Sequence, residues 1–158
     1  MHSRIIELGN APILPDDRMG ECSVPEWFYH SIADYTNAET DRDEDLKWFL
    51  EIVAHIVDVA EDGESFTFKP NAKKKYSHRQ YYAFLDKARE LTGISIEAFC
   101  AETPYDIGMA MYKLNEAYQD KFSFYIYYQD KLKTLDEWIR ETDLSESFYF
   151  GGTLDYHF

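Results

Sequence analysis

Residues 40–64 constrain the fold most strongly, because a run of charged side chains leads directly into apolar residues that recur at helical spacing. The recurring apolar positions are Leu46, Phe49, Leu50, Val53, Ile56, Val57 and Ala60. At about 100° per residue, these positions fall within an arc of about 120°. Thr40 can cap the N-terminus, with Asp43 in the capping-box position, and Gly63 can end the helix. The pattern predicts one long helix with a buried face and an acidic face.

The acidic face of this predicted helix is a candidate interaction surface. Its members lie on the far side of the helix or on the flank of the apolar arc: Glu44, Glu51, Asp58, Asp62 and Trp48. His55 lies beside Glu51 and Asp58, so it is either half of an acid–base pair or a solvent-facing histidine among carboxylates. Residues 34–64 carry eleven acidic side chains against Arg42 and Lys47, a net charge of −9.

The acidic run does not have the pattern of a calcium-binding loop. A loop that started at Asp41 would place Leu46 where glycine is needed for the turn and Ile52 where a bidentate glutamate is needed. The sequence also has no phosphate-binding, nucleophile-elbow or zinc-protease motif. We therefore predict no catalytic residue, no metal site and no cofactor, which is more typical of a non-enzymatic protein. A small hydrolase-like enzyme with a histidine–carboxylate site stays open as an alternative.

The net charge of −14 limits the partners that fit this chain. Nucleic acid and anionic membranes would be repelled at long range, whereas a basic protein surface would be attracted. We therefore expect a protein-interaction protein whose acidic face binds a basic surface of another protein. Its sharpest form is an antirestriction-like inhibitor that mimics nucleic acid and occupies a DNA-binding protein.

One basic and aromatic stretch, residues 72–82, departs from the acidic composition. It contains Lys73, Lys74, Lys75 and Arg79, interleaved with tyrosines. Such a pattern can hold a phosphate backbone and stack bases, which makes a regulatory nucleic-acid binder the second alternative. The other interpretation is that the stretch neutralises the acidic segment, either within the chain or across a homo-oligomer.

The remaining pattern indicates a single α+β domain over residues 1–158. Strands are predicted at 3–8, 64–70 and 121–129, and helices at 40–63, at 78–92, from Thr103-Pro104 and from the capping box at Thr134. Residues 147–158 contain two aromatic segments around Gly151-Gly152, a pair typical of a hairpin turn. We therefore predict a small, mostly antiparallel sheet packed with several helices and completed by a C-terminal β-hairpin.

The sequence also bears on the compartment. No apolar run reaches the length of a membrane span, and the N-terminal residues lack the hydrophobic core of a signal peptide. Only Cys22 and Cys100 are present, without a CxxC pair, which is typical of free thiols in a reducing environment. We therefore predict a cytoplasmic protein.

Three segments carry a resemblance to known sequences: HSRII with PILPDD, SIADYTNAETDRDEDLKWF, and SFYFGGTLDYHF. Together they are similar to the uncharacterised small acidic proteins that phages and conjugative elements of Gram-positive bacteria encode. The resemblance covers most of the chain. That group has no established activity, so the resemblance implies no functional residue. It implies the context of a mobile-element accessory protein that binds a host protein involved in defence or regulation.

Overall fold

The structure is a computed structural model that describes residues 1–101 and 105–158. Within these residues it contains six α-helices and a seven-stranded, mostly antiparallel sheet, so the predicted α+β class is confirmed. The chain forms two compact units. Unit 1 comprises residues 1–72 and 121–158, and unit 2 comprises residues 73–120. Whether the two units behave as the single domain expected from the sequence stays a prediction.

Unit 1 holds the whole sheet. Its strands are β1 (His2–Gly9), β2 (Tyr35–Asn37), β3 (Val57–Val59), β4 (Ser65–Phe68), β5 (Tyr125–Tyr128), β6 (Lys131–Thr134) and β7 (Ser147–His157). Its helices are α1 (Glu26–Ser31), α2 (Arg42–Val53) and α6 (Leu135–Glu141), with short 3-10 turns at Pro15–Asp17 and Glu21–Ser23.

The last strand, β7, is the centre of the sheet. The strand order is β3-β4-β7-β1-β5-β6, and β2 also pairs with β7. The first part of β7 pairs with β4, its last part pairs with β2, and β1 runs along its other edge. Among the strands that the described residues form, only β1 and β5 are parallel, and the other pairs are antiparallel.

The predicted C-terminal hairpin is wrong, because residues 147–157 form one continuous strand. Gly151 and Gly152 produce a β-bulge instead of a turn, since the register with β1 shifts between Ile6 and Leu8. Glycine pairs are typical of hairpin turns and of β-bulges. A bulge forms here because both halves of β7 pair with neighbouring strands.

A buried carboxylate explains why the bulge needs glycine. The Glu7 side chain enters the bulge, where its Oε2 accepts hydrogen bonds from the backbone N–H of Met19 at 2.9 Å and of Gly152 at 2.7 Å. A Cβ atom at Gly151 would lie 2.2 Å from that same Oε2, closer than atoms can approach. Gly151 therefore makes room for an acid that fastens the 10–20 segment to the sheet.

Both faces of the sheet are covered. On one face Phe28 of α1 packs edge-on against the rings of Tyr125 and Tyr156, at 4.8 and 5.2 Å between centroids. On the other face α2 and α6 contribute Phe49 and Trp138, both almost fully buried against phenylalanines of β4 and β7. The alternation of side chains along β1 and β7 supplies apolar groups to both layers.

The predicted long helix over residues 40–63 is wrong in its second half. α2 ends at Val53, and residues 57–68 form the β3–β4 hairpin, in which Val57 pairs with Phe68. The apolar positions beyond Val53 are mainly β-branched, which favours an extended strand once a partner strand is present. Gly63 adopts a φ of 73° in the hairpin turn, a conformation that suits glycine.

The start of α2 also differs from the prediction. Asp41, not Thr40, is the N-cap, and its carboxylate accepts hydrogen bonds from the backbone N–H groups of Asp43 and Glu44. The Thr40 hydroxyl instead lies 2.9 Å from the Thr153 hydroxyl on β7. The predicted cap at Thr134 is confirmed, since its side chain accepts from the backbone N–H of Glu137.

Unit 2 is helical, with α3 (Ala72–Thr92), α4 (Ile96–Phe99) and α5 (Tyr105–Tyr118). α3 starts at Ala72, six residues before the predicted start, and so includes the basic stretch. The apolar residues that recur there at helical spacing and were expected to form a core face are not buried, and Tyr81 is 55% exposed; they are Tyr81, Phe84, Leu85, Ala88 and Leu91. Within the unit, the Gln80 side-chain amide donates to the Tyr118 carbonyl at 2.7 Å. The predicted helix start at Thr103-Pro104 lies outside the described residues.

Over the described ranges, none of the helices combines the length and the apolar character needed to cross a membrane.

Candidate functional site

An open depression on unit 1 lies between α2 and the β3–β4 turn. This acidic groove is open, has a volume of about 620 Å³, and is lined by Arg42, Asp43, Leu46, Lys47, Leu50, Glu51, Ala54, Asp62, Gly63 and Glu64. Leu46, Leu50 and Ala54 form an apolar floor, and four carboxylates stand around it. An apolar floor with charged walls is a common composition for a peptide-binding or ligand-binding surface.

Arg42 fixes the two walls of the acidic groove to the sheet. Its Nε donates to the Gly151 carbonyl at 2.8 Å, and its Nη2 donates to the Phe150 carbonyl and to Glu64 Oε2 at 3.2 and 2.8 Å. The guanidinium therefore joins the first turn of α2, the bulge of β7 and the end of the β3–β4 turn. This anchoring keeps the groove open between elements that the sheet already holds.

The structure divides the predicted acidic face into two groups. Glu51 and Asp62 line the acidic groove, although Asp62 lies in the hairpin turn and not on the helix. Glu44 lies on α2 outside the groove, and Asp58 lies on β3, 3.6 Å from the Lys69 ammonium. The single helical stripe predicted for Glu44, Glu51, Asp58 and Asp62 is therefore wrong, because the helix ends before the last two.

Trp48 does not line the groove. Its ring packs edge-on against Phe124 at 4.7 Å, and the Arg4 guanidinium lies over it at 5.4 Å from the centroid. Although 40% of the residue is exposed, the ring is held by contacts within unit 1. The role of Trp48 as an interface anchor stays a prediction. Its contact with the Arg4 guanidinium was not predicted from the sequence.

One acid of the charged run is buried in a polar network that the sequence analysis missed. Asp45 is 4% exposed, accepts a hydrogen bond from Arg4 Nε, and accepts another from the Thr153 hydroxyl at 2.8 Å. Arg4 also donates to Asp155 through Nη1. Asp45 therefore neutralises Arg4 and joins α2 to β1 and β7, so it does not belong to the exposed acidic surface.

Two histidine–carboxylate pairs lie where β1 begins and β7 ends. His2 Nδ1 is 2.8 Å from Asp155 Oδ2, and His157 Nδ1 is 3.0 Å from Asp34 Oδ2. The two imidazole rings are 4.9 Å apart, and His157 stacks on Tyr35 at 5.3 Å. A carboxylate that orients Nδ1 leaves Nε2 of His2 for proton transfer, the arrangement of a general base. Neither pair borders the acidic groove.

The basic stretch lies at the start of α3, where Lys73, Lys74, Lys75 and Arg79 are all exposed. His78 and Tyr82 form a ring pair on the same helix at 4.8 Å. Helical spacing distributes these four cations around the first two turns of α3. Their positions fit both nucleic-acid contact and neutralisation of the acidic segment, so both interpretations stay open.

Within the described residues, the pKa values of Tyr127, Tyr112 and Glu141 depart from their ordinary values. Burial, the hydrogen bond to Asp130 and the nearby charges of Glu7 and Cys22 raise the pKa of Tyr127. The hydrogen bond to Glu116 raises the pKa of Tyr112, and the hydrogen bond from Lys133 lowers the pKa of Glu141. None of the three lines the acidic groove.

Among residues 1–101 and 105–158, no group of three or more His, Cys, Asp or Glu side chains is arranged to hold a metal ion.

No family model matches the chain, and neither a curated protein nor a solved structure matches it, so the site is interpreted from its own geometry.

Proposed function

We propose that this chain is a non-enzymatic interaction protein whose acidic groove receives a basic segment of another protein. The observation that carries the proposal is the groove itself, which combines an apolar floor with four carboxylates in about 620 Å³. Glu51 and Asp62 stand on opposite walls and form no ion pair among the described residues. Their charges are therefore available to a partner.

Both the aliphatic stem and the charged head of a lysine or arginine side chain fit such a surface. Their aliphatic stems can pack on Leu46 and Leu50, while their charged heads reach the carboxylates at the rim. The net charge of −14 attracts a basic partner at long range and raises its association rate. Apolar contact at the floor then slows dissociation, because it removes apolar surface from water.

A sharper version is an antirestriction-like inhibitor, encoded by a mobile element, that mimics nucleic acid and blocks a DNA-binding protein. Glu44 and Glu51 are seven residues apart on α2, about 10.5 Å along the helix axis. This spacing is longer than the charge spacing along one nucleic-acid strand. Asp58 and Asp62 on the β3–β4 hairpin would have to supply intermediate charges, and the mimic needs all four acids.

The same proposal places the protein in the cytoplasm, where it would meet such partners. Cys22 and Cys100 are both free and exposed, which fits a compartment that keeps thiols reduced.

Two charge-reversal variants test the role of the groove. The groove variant is Glu51→Lys with Asp62→Lys, and the matched control is Glu44→Lys with Asp58→Lys, which changes the net charge equally outside the groove. The probe is a labelled helical peptide with lysine and leucine on one face, measured by fluorescence anisotropy at low and physiological salt. We expect the groove variant to weaken binding about tenfold, equal to about 1.4 kcal/mol, and the control to weaken it much less.

A second peptide, with serine in place of leucine, tests the apolar floor and should bind more weakly to the wild type. Equal weakening by both variants would show that only the overall charge matters, and would overturn the groove proposal.

For the mimic, binding to restriction or CRISPR components should weaken in both variants. If that binding persists unchanged when Glu44, Glu51 and Asp58 are all reversed to lysine, the mimic is excluded.

A further inference from the structure

The apolar faces of the two long helices of unit 2 are open to solvent. The residues that share these faces at helical spacing form the open face: Tyr81, Phe84, Leu85, Ala88 and Leu91 in α3, and Ile107, Met111, Leu114 and Tyr118 in α5. The ring of Phe84 lies 6.0 Å from that of Tyr118, so both helices contribute to one surface. None of these residues is buried, and Met111 is 59% exposed. The described residues of unit 2 therefore leave this face uncovered.

The pairing of α3 with α5 explains why the open face stays uncovered. The Gln80 side-chain amide, in the first half of α3, donates to the carbonyl of Tyr118, the last residue of α5. Because the chain passes from the end of α3 to the start of α5, the two helices run antiparallel. Two helices cover only part of each other's apolar stripe, and a bundle of four helices completes such a core. Unit 2 therefore supplies half of a four-helix bundle.

The apolar surface that unit 2 exposes has the size of a protein–protein interface. Its exposed large apolar side chains are Tyr81, Tyr82, Ile96, Phe99, Tyr105, Met111, Tyr112 and Tyr118, and each is at least half exposed. Such a side chain leaves roughly 100 Å² in water, whereas monomeric proteins rarely expose contiguous apolar patches above a few hundred Å². An interface that covered the open face and its flanks would approach the roughly 800 Å² that each partner buries in a standard complex.

The charge of unit 2 favours a second copy of this chain as its partner. Residues 73–120 carry seven Lys or Arg and seven Asp or Glu, a net charge of zero, whereas the whole chain carries −14. Two copies of so acidic a chain repel each other, and the repulsion is weakest where they meet through a neutral unit. A basic partner, as proposed for the acidic groove, would gain no attraction from this unit.

The two ends of the helix pair have opposite charges. Residues 73–82 carry four cations and no acid. At the other end, residues 86–101 and 105–106 carry four acids, of which Asp86 and Glu90 pair with Arg89 and Lys87 at 2.7 Å. Glu97 and Asp106 give that end a net charge of −2. A two-fold axis that sets the helix pairs antiparallel would bring each basic end beside the acidic end of the other copy.

We propose that a second copy of this chain packs on the open face of unit 2, with two-fold symmetry and antiparallel helix pairs. Each copy contributes α3 and α5 to a four-helix interface, in which the apolar faces cover each other. The basic stretch at residues 73–82 then contacts acids of the other copy. The face is covered only above the dissociation constant of the dimer, so in dilute protein α3 and α5 stay open to solvent.

The distance between two spin labels tests the arrangement in the full-length chain. In a Cys22→Ser variant, one nitroxide per copy is attached to Cys100, which is exposed and follows α4 at the acidic end. We expect pulsed electron resonance to measure about 30 Å or more between the labels, because antiparallel pairing separates them by the length of the 21-residue α3. A much shorter distance would contradict the antiparallel arrangement.

Two double variants test whether the open face is the interface. Tyr81→Lys with Met111→Glu leaves the net charge unchanged and alters side chains that are more than half exposed, so circular dichroism should show intact helices. The matched control is Leu14→Lys with Ile52→Glu, on exposed residues of unit 1. Sedimentation equilibrium should show dimerisation weakened at least about tenfold by the first variant and less than about twofold by the control.

Three results would overturn the proposal. The first is equal weakening by the two double variants, which would place the interface elsewhere. The second is a wild-type chain that stays monomeric at every concentration, which would leave the open face to a different protein. The third is a Cys100 label pair that shows no dipolar coupling in a sample that sedimentation identifies as dimeric within range of the measurement.

Discussion

At the residue scale, Gly151 and Glu7 depend on each other. The Glu7 carboxylate occupies the space where any side chain at position 151 would begin, and it binds two backbone N–H groups there. The glycine pair in the sequence predicted a turn. Nothing in the sequence showed that the carboxylate of Glu7, on β1, would occupy the space beside Gly151 in β7. A special backbone conformation at the glycine pair was predictable, but the choice of a bulge over a turn, and its partner Glu7, depended on the strand pairing.

This dependence predicts a non-additive pair of mutations. Gly151→Ala should lower the free energy of unfolding by about 3 kcal/mol, because the new methyl group displaces the carboxylate. In a Glu7→Ala background the same substitution should be milder by at least about 1 kcal/mol, because the clash is gone. Urea denaturation of the four proteins measures the coupling. Gly108→Ala, on α5 with open space around it, is the control and should leave stability unchanged or slightly raised.

At the element scale, α2 shows what its sequence could and could not predict. The existence of the helix and its buried positions Leu46, Phe49 and Val53 follow from local spacing, whereas the N-cap is Asp41 and not the predicted Thr40. The end of the helix did not follow, because Ile56, Val57 and Val59 fit the apolar arc of a helix as well as they fit a strand. Pairing with β4 decided between them, and a partner strand is not visible in a local pattern.

The attachment of α2 to the sheet gives a second prediction. Asp45→Asn should destabilise the protein by about 3 kcal/mol, because it removes the charge that balances Arg4 in a buried network. Asp43→Asn makes the same charge change on an exposed side chain of the same helix and should alter stability by less than about 0.5 kcal/mol. Thermal denaturation followed by circular dichroism compares the two. Equal losses in both variants would contradict a structural role for Asp45.

At the scale of the whole molecule, the buried side chains belong to one unit. The described residues of 73–120 are all exposed or half-buried, whereas the buried aromatic core is built from unit 1. The sequence pattern did not predict this division, since Tyr81, Phe84 and Leu85 have helical spacing whether or not another element covers them. The candidate site was also predictable only in part. Its acidic residues were predicted from the sequence, but the groove that Glu51 and Asp62 line together was not.

The division predicts unequal local stability. Backbone amides of α3 and α5 should exchange with deuterium faster than those of β1 and β7, because few buried contacts oppose local opening of the helices. Hydrogen exchange measured by mass spectrometry on peptides from both units gives the comparison. Peptides from β5, a strand of the same sheet, and from α6, which packs on it, control for position in the chain. Uniform protection across residues 1–158 would instead support one cooperative domain.

The central place of β7 also bears on how the chain acquires its structure during synthesis. β1, β2 and β4 all need β7 as a neighbour, yet β7 contains residues 147–157 and leaves the ribosome after them. Its pairing with β1 closes a loop of nearly the whole described length, which makes the contact order high and folding slow. Until β7 is available the first strand keeps an open edge, so the nascent chain depends on protection from aggregation over that interval.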